Sequence, residues 1–220
     1  VIGILVPTNR PQNIQSLIDS WSSNNGGKSK LLFGLDTKKS PYPELENKLE
    51  GDWPDVCPML EDMYQHFKSD TECTMFMCLA DDIRFSKNFD VEILEEVERC
   101  ANKMGHRKWI VYGNDTLQGQ ILCTHWAMTR EYLDALGFLA PKGYMNHCYL
   151  DNLHMNLGLQ TGTLRYLPWV VTEHLCSQNG KAEADDNTKK IYDKLYFEND
   201  RIQFERWARE HYAESLKRLS

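Results

Sequence analysis

The chain has 220 residues, 41% of them apolar and 26% charged, which is enough for one folded domain with a substantial core plus a short helical appendix. A formal net charge of -7 argues against non-specific attraction to nucleic acid or an anionic membrane, and no apolar run approaches the ~20 residues that cross a bilayer. Seven cysteines, odd in number and with no C-x-x-C pair, argue against a disulfide framework or a structural zinc site and for a reduced, cytoplasmic setting.

Residues 1–6 form an unbroken β-rich run that is too short for a signal-peptide core and lacks a basic flank, so they read as a strand buried on both faces. Pro11 suits the first turn of a helix on which Ile14, Leu17, Ile18 and Trp21 recur at helical spacing, ended by the Asn-Asn-Gly-Gly at 24–27. Residues 31–35 are the second strand and deliver Asp36 at its carboxyl end. Pro58 is expected to open a helix with Met59, Leu60, Met63, Tyr64 and Phe67 on one face. Residues 74–80 form the next buried strand and run straight into Asp81-Asp82. Asp90 is expected to cap a helix closed by Gly105.

Residues 109–112 and 120–128 read as two further strands, and Thr129 caps a short helix ending at Gly137. Residues 164–167 and 170–171 are strand-like on either side of Pro168. From about residue 187 to 219 a charged segment with an apolar stripe predicts one or two helices packing back on the domain. The alternation of short apolar runs with amphipathic segments is that of an α/β fold with a mostly parallel central sheet flanked by helices.

Open α/β sheets bind ligands at the carboxyl ends of their strands. Three features converge there: Thr8-Asn9-Arg10, Asp36, and Asp81-Asp82. Two adjacent carboxylates at the end of a buried strand are unfavourable unless a cation or hydrogen bonds compensate them. A divalent metal bridging a diphosphate is one such compensation, because hard oxygen ligands suit Mg²⁺ and Mn²⁺. No G-x-G-x-x-G, Walker loop or G-x-S-x-G is present, which weakens dehydrogenase, P-loop and α/β-hydrolase readings.

These motifs carry a resemblance. Residues 6–11 (Val-Pro-Thr-Asn-Arg-Pro), Asp36 and residues 79–83 (Leu-Ala-Asp-Asp-Ile) are similar to the nucleotide-sugar half of the family 2-like glycosyltransferases of the GT-A fold. Residues 123–130, the Tyr149-Leu150-Asp151-Asn152 motif and Glu173-His174-Leu175 resemble that fold's acceptor side, later acidic motif and terminal metal-ligand motif. The resemblance implies a catalytic domain over 1–185, with a nucleotide-sugar half at 1–105 and an acceptor half at 106–185, and a C-terminal helical extension at 186–220.

It implies an enzyme that moves a sugar from a nucleotide-diphosphate sugar to a hydroxyl acceptor with Mn²⁺ or Mg²⁺, inverting the anomeric centre. Thr8, Arg10 and Asp36 would contact the nucleotide, Asp81 would lie near the ribose or metal, and Asp82 would bind the metal. Asp151 would be the general base, His174 would complete the metal shell or touch the phosphates, and Lys181 would neutralise the leaving diphosphate. His125, Trp126, Tyr149 and Asn152 fall on the acceptor side. Two departures matter. Asp151 is followed by Asn152 rather than a second acid, which leaves the base assignment open by one position, and Asp81-Asp82-Ile83 replaces Asp-x-Asp, which leaves the metal one direct carboxylate.

Residues 149–181 further resemble compact, phage-type members of the group, and that implies a hydroxymethylated base in DNA as one acceptor, within a host cytoplasm, beside saccharide, lipid-linked or protein acceptors. A DNA acceptor predicts Lys103, Arg107, Lys108, Lys142 and Arg165 near the cleft and activity that falls steeply with salt. Two other classes stay open: a nucleotidyltransferase acting on a sugar phosphate, and a non-catalytic nucleotide- or glycan-binding module. Cys176 also stays open, although a thiolate suits Mg²⁺ poorly.

Overall fold

The apolar run at the amino terminus becomes the middle of one half of the sheet. In the computed structural model, which describes residues 1–39 and 41–220, β1 (Ile2–Thr8) pairs in parallel with β2 (Ser29–Asp36), and β2 with β3 (Lys48–Gly51). On its other side β1 pairs in parallel with β4 (Met75–Cys78). Ile2, Ile4 and Val6 join one buried cluster and Leu5 the other, so the strand is covered on both faces and has no polar alternation. Helices α1 (Ile14–Asn24) and α2 (Val56–Phe67) cover opposite faces of this half.

The remaining strands are β5 (Ile83–Phe85), β6 (Ile110–Asn114), β7 (Ala127–Thr129) and β8 (Leu164–His174). Among the described residues the eight strands lie in the order β3-β2-β1-β4-β7-β6-β8-β5. The β4–β7, β6–β7 and β5–β8 pairs are antiparallel and the β6–β8 pair is parallel, so the sheet is mixed. Helix α3 (Phe89–Met104) packs against the second half, and α4 (Arg130–Leu136) and α5 (Leu150–Thr161) follow β7. Thr129 caps α4 as expected, accepting from the Tyr132 N–H at 3.3 Å, and Gly137 closes it at φ 92°. Helices α6 (Asp186–Ile191) and α7 (Lys194–Leu219) complete the chain.

Four local expectations are corrected. The strand expected over 120–128 is confined to Ala127–Thr129, because the preceding chain wraps around Asp115, whose Oδ1 accepts three successive N–H groups at 2.8–3.0 Å. Asp90 does not cap α3. Asn88 takes that place in a left-handed conformation (φ 57°), and the buried Asp90 carboxylate instead accepts from Gly26, Lys28 and Ser29. Helix α2 opens two residues before Pro58, where Asp55 accepts from the Val56 N–H at 2.9 Å. The segments flanking Pro168 form one strand.

That continuity has a consequence for the site. Between Gly113 and Asn114 the β6–β8 register jumps from Leu167 to Val171, so the chain around Pro168 bulges out where no ladder hydrogen bond is demanded of it. Beyond the bulge, β8 pairs with β5 and carries His174 to Ile83, the residue after Asp82. Gly113 is required there, since a Cβ would sit 2.2 Å from the Val170 carbonyl oxygen. Gly113→Ala is expected to destabilise the protein by about 1–3 kcal/mol, read by urea unfolding; an unchanged midpoint would show that the bulge relaxes freely.

Helix α7 is built into the domain. The fully buried Asp200 accepts from the N–H groups of Asn146, His147 and Cys148 at 2.8–3.0 Å, and so holds the loop that leads into α5. Trp207 is buried and meets Phe138 edge-on. Among the described residues no helix is long and apolar enough to cross a membrane.

Candidate active site

The carboxyl ends of β1, β2 and β4, the end of β8 and the start of α5 open on one cleft of about 470 Å³. Thr8, Arg10, Asp36, Asp81 and Asp82 line it from the first half of the chain. His125, Trp126, Asp151, His174 and Cys176 line it from the second.

Asp81 and Asp82 differ sharply in their surroundings. Asp81 is 2% exposed and its carboxylate is fully engaged: Thr8 donates to one oxygen, and Asn13 (3.1 Å) and the Arg10 guanidinium reach the other. Burial pushes its pKa up and Asp82 adds to this, with Arg10 and the hydrogen bonds working in the opposite direction. Asp81 therefore fastens the end of β1 to the end of β4. Asp82 receives Arg10 on Oδ2 at 3.0 Å. Its Oδ1 is buried without a satisfied hydrogen bond and lies 3.2 Å from His174 Nε2. Burial would raise the Asp82 carboxyl, but the His174 contact and the Arg10 charge outweigh it and hold the carboxyl below its usual range.

An orphaned buried carboxylate oxygen beside an imidazole nitrogen suits a divalent cation. Among the described residues no group of three or more His, Cys, Asp or Glu side chains is placed to hold one. Asp82 and His174 are two side chains that could hold one, and a cation there would need oxygens from a bound phosphate or water to fill its shell.

His174 is set by backbone pairing: its N–H donates to the Asp115 carbonyl at 3.0 Å, and the Leu175 N–H donates to the Asp82 carbonyl at 2.8 Å. His125 stands behind it at 5.2 Å between ring centroids, with Nδ1 3.1 Å from the Thr172 hydroxyl. Burial, helped by His174, lowers the His125 pKa to about 4, so this imidazole is neutral. Asp115 flanks the pair from the end of β6; burial would raise its carboxyl, but the N–H groups of residues 117–119 more than offset that and lower it.

Across the cleft Asp151 sits in the first turn of α5, where Trp126 Nε1–H donates to its Oδ1 at 2.8 Å. Burial pushes the Asp151 carboxyl up to about 6 against the lowering effects of Trp126 and His147. The cleft rim is made by Asp55, which accepts from His147 (3.1 Å), Lys190 (2.6 Å) and Tyr196. Asp185 lies 3.6 Å from Arg10. Asp55, Asp115 and Asp185 had no motif to announce them, although Asp115 obeys the same strand-end rule as Asp36.

Three sequence candidates fall outside the lining. Tyr149 (φ 70°) stacks on Phe204 of α7, Lys181 pairs with Glu173 at 2.5 Å, and Asn152 follows Asp151 into α5. None of the five basic residues expected for a DNA acceptor lines the cleft. Arg107 is paired with Glu98 and Glu131, Lys142 with Asp62, and Arg165 lies over the Trp109 ring at 4.5 Å.

The architecture is that of the GT-A-like nucleotide-diphospho-sugar transferases. The chain is similar to TarS 1–349 of S. aureus solved with UDP-GlcNAc (TM-score 0.58, 10% identity, 99% of this chain and 70% of that one). It is also similar to the mannosyltransferase PcManGT of Pyrobaculum calidifontis solved with GDP-Man and Mn²⁺ (TM-score 0.55, 13% identity, 99% of this chain and 72% of that one). No family model and no curated protein sequence matches the chain. At these identities the likeness is one of fold.

Proposed function

We propose that the protein is a metal-dependent glycosyltransferase that transfers a sugar from a nucleoside-diphosphate sugar to a hydroxyl acceptor with inversion. The observation that carries this is the pairing, in one cleft, of an orphaned Asp82 oxygen facing His174 with a raised carboxyl on Asp151 opposite. The solved neighbours with UDP-GlcNAc and with GDP-Man and Mn²⁺ support a nucleotide-sugar donor.

In this reading residues 1–105 hold the donor, 106–185 shape the acceptor side and 186–220 brace both. Asp36, Thr8 and Arg10 line the side where the nucleotide would lie, and Arg10, its charge offset by Asp81, Asp82 and Asp185, keeps those carboxylates in place. Mn²⁺ or Mg²⁺ held by Asp82 and His174 would supply charge stabilisation on the leaving diphosphate. Asp151 takes the acceptor hydroxyl proton as the new bond to the anomeric carbon forms; the bond from that carbon to the diphosphate oxygen breaks, and its electron pair leaves with the phosphate. A carboxyl near pH 6 is suited to this at neutral pH: it is ionised, yet a better base than a solvated aspartate. The engagement of Arg107, Lys142 and Arg165 with other side chains favours a saccharide over a hydroxymethylated DNA base as acceptor.

A panel of nucleotide sugars with Mn²⁺, followed by thermal shift and by release of nucleoside diphosphate, tests the reading. One donor is expected to raise Tm, by mass action on the folded state, and a chelator is expected to abolish both the shift and the release. Release of pyrophosphate or nucleoside monophosphate instead would indicate nucleotidyl transfer, and a shift without turnover across saccharide acceptors would indicate a binding module.

A further inference from the structure

We propose that Trp126 is the positioning residue of the general base: its indole N–H fixes one carboxylate oxygen of Asp151 and leaves the other for the acceptor hydroxyl. The inference rests on the glycosyl-transfer reading above and concerns how its base is held.

The indole is placed to act on Asp151 and not on a sugar. Trp126 is 1% exposed, so its faces are unavailable for stacking on a substrate. Its ring lies 4.6 Å from that of His154, which stands one helical turn beyond Asp151 on α5. Asp151 and His154 thus grip the indole from the same helix face. His154 is itself fixed: its Nε2 lies 2.8 Å from the Leu139 carbonyl, which can only accept, so that nitrogen carries the proton. Burial lowers the His154 pKa to about 3 and keeps the ring neutral.

The other end of the tryptophan is tied to the donor half. The Trp126 carbonyl accepts from the Cys78 N–H at 2.9 Å, at the end of the strand that leads into Asp81-Asp82. One residue therefore links the base to the strand carrying the proposed metal ligand. Without its N–H the Asp151 carboxylate would be free to rotate about its last torsion, and the ionised form would lose a hydrogen-bond donor inside a buried site.

The groups facing Asp151 leave that role to the indole. Cys57 of α2, Cys78 of β4, Cys123 of the β6–β7 loop and Cys148 before α5 all have pKa values raised by burial, so they stand as neutral thiols. His147, Asp115 and His174 act on Asp151 only through their charge. Among the described residues Trp126 is the side chain that donates a hydrogen bond to it.

The test compares Trp126→Phe, Asp151→Asn and the unaltered protein. The acid limb of kcat/KM against pH is expected to move up by about one pH unit or more in Trp126→Phe, since a hydrogen bond favouring the charged carboxylate is lost. In that variant kcat is expected to fall about ten-fold while the donor KM stays within about two-fold. Separately, the ¹H–¹⁵N indole resonance of Trp126 should titrate in the unaltered protein with the midpoint of the acid limb, and stop doing so in Asp151→Asn. A Trp126→Phe profile that superimposes on the unaltered one, while Asp151→Asn is inactive, overturns this inference alone. Full activity in Asp151→Asn removes the base assignment and the inference with it. Should Trp126→Phe fail to fold, the indole resonance decides, and its insensitivity to pH overturns the proposal.

Discussion

Asp151→Asn is expected to reduce glycosyl transfer by about 10²–10⁴-fold, the usual contribution of a positioned general base. The substitution keeps the shape of the site, because the amide oxygen of Asn can still accept the Trp126 N–H that now reaches Asp151 Oδ1 at 2.8 Å. Donor binding, measured by thermal shift with nucleotide sugar and Mn²⁺, should therefore be retained. In the unaltered protein kcat/KM should fall as the pH drops through about 6, where the buried carboxyl takes up its proton and can no longer accept one from the acceptor. An active Asn variant, or a flat profile between pH 5 and 7, would remove Asp151 from the chemistry.

The second large effect is expected at Asp82. Asp82→Ala deletes the buried oxygen that faces His174 and leaves His174 as the one proposed ligand in place. Transfer should fall by about 10³-fold, the scale of losing several kcal/mol of charge stabilisation on the leaving group. Mn²⁺ should at the same time cease to raise the Tm in the presence of donor. The fold should survive, since Arg10 keeps its bond to Asp81 and β4 keeps its pairing to β1. Mn²⁺-dependent donor binding that persists in Asp82→Ala would mean that the cation is held elsewhere. Asp151→Asn and Asp82→Ala thus separate the two halves of the reaction: one variant binds donor and does not transfer, the other does not bind it in the metal-dependent way.

Part of this site could be read from the chain because Asp36 and the Asp81-Asp82 pair follow apolar runs. Asp36 and Asp81-Asp82 stand where buried strands reach solvent, and a sheet of this kind gathers such ends in one place. The roles were harder to read than the positions. Nothing in the dipeptide distinguishes Asp81, saturated by Thr8, Asn13 and Arg10, from Asp82 with its spare oxygen, because those donors lie about 70 residues away. Asp55 was hidden for the same reason, since its partners are at 147, 190 and 196. Residues 120–128 misled in a different way. Their apolar content suggested a strand, but Ile121 is exposed and the segment before it is shaped by the Asp115 carboxylate rather than by a ladder. Tyr149, left-handed at the start of α5, lies outside the cleft lining and stacks its ring on Phe204 of α7, a partner 55 residues away.

Helix α7 has no residue in the cleft lining, yet it is fastened to two segments that have. Tyr196 donates to Asp55 at the head of α2, and Asp200, one turn further on, holds the loop before Asp151. Those segments also meet each other directly, His147 on Asp55 and the Cys57 N–H on the Asn146 carbonyl. A helix is stiff along its axis, so two anchors four residues apart bind them into one bracket. In the proposed reaction the base would thus stand on a mount that neither substrate touches.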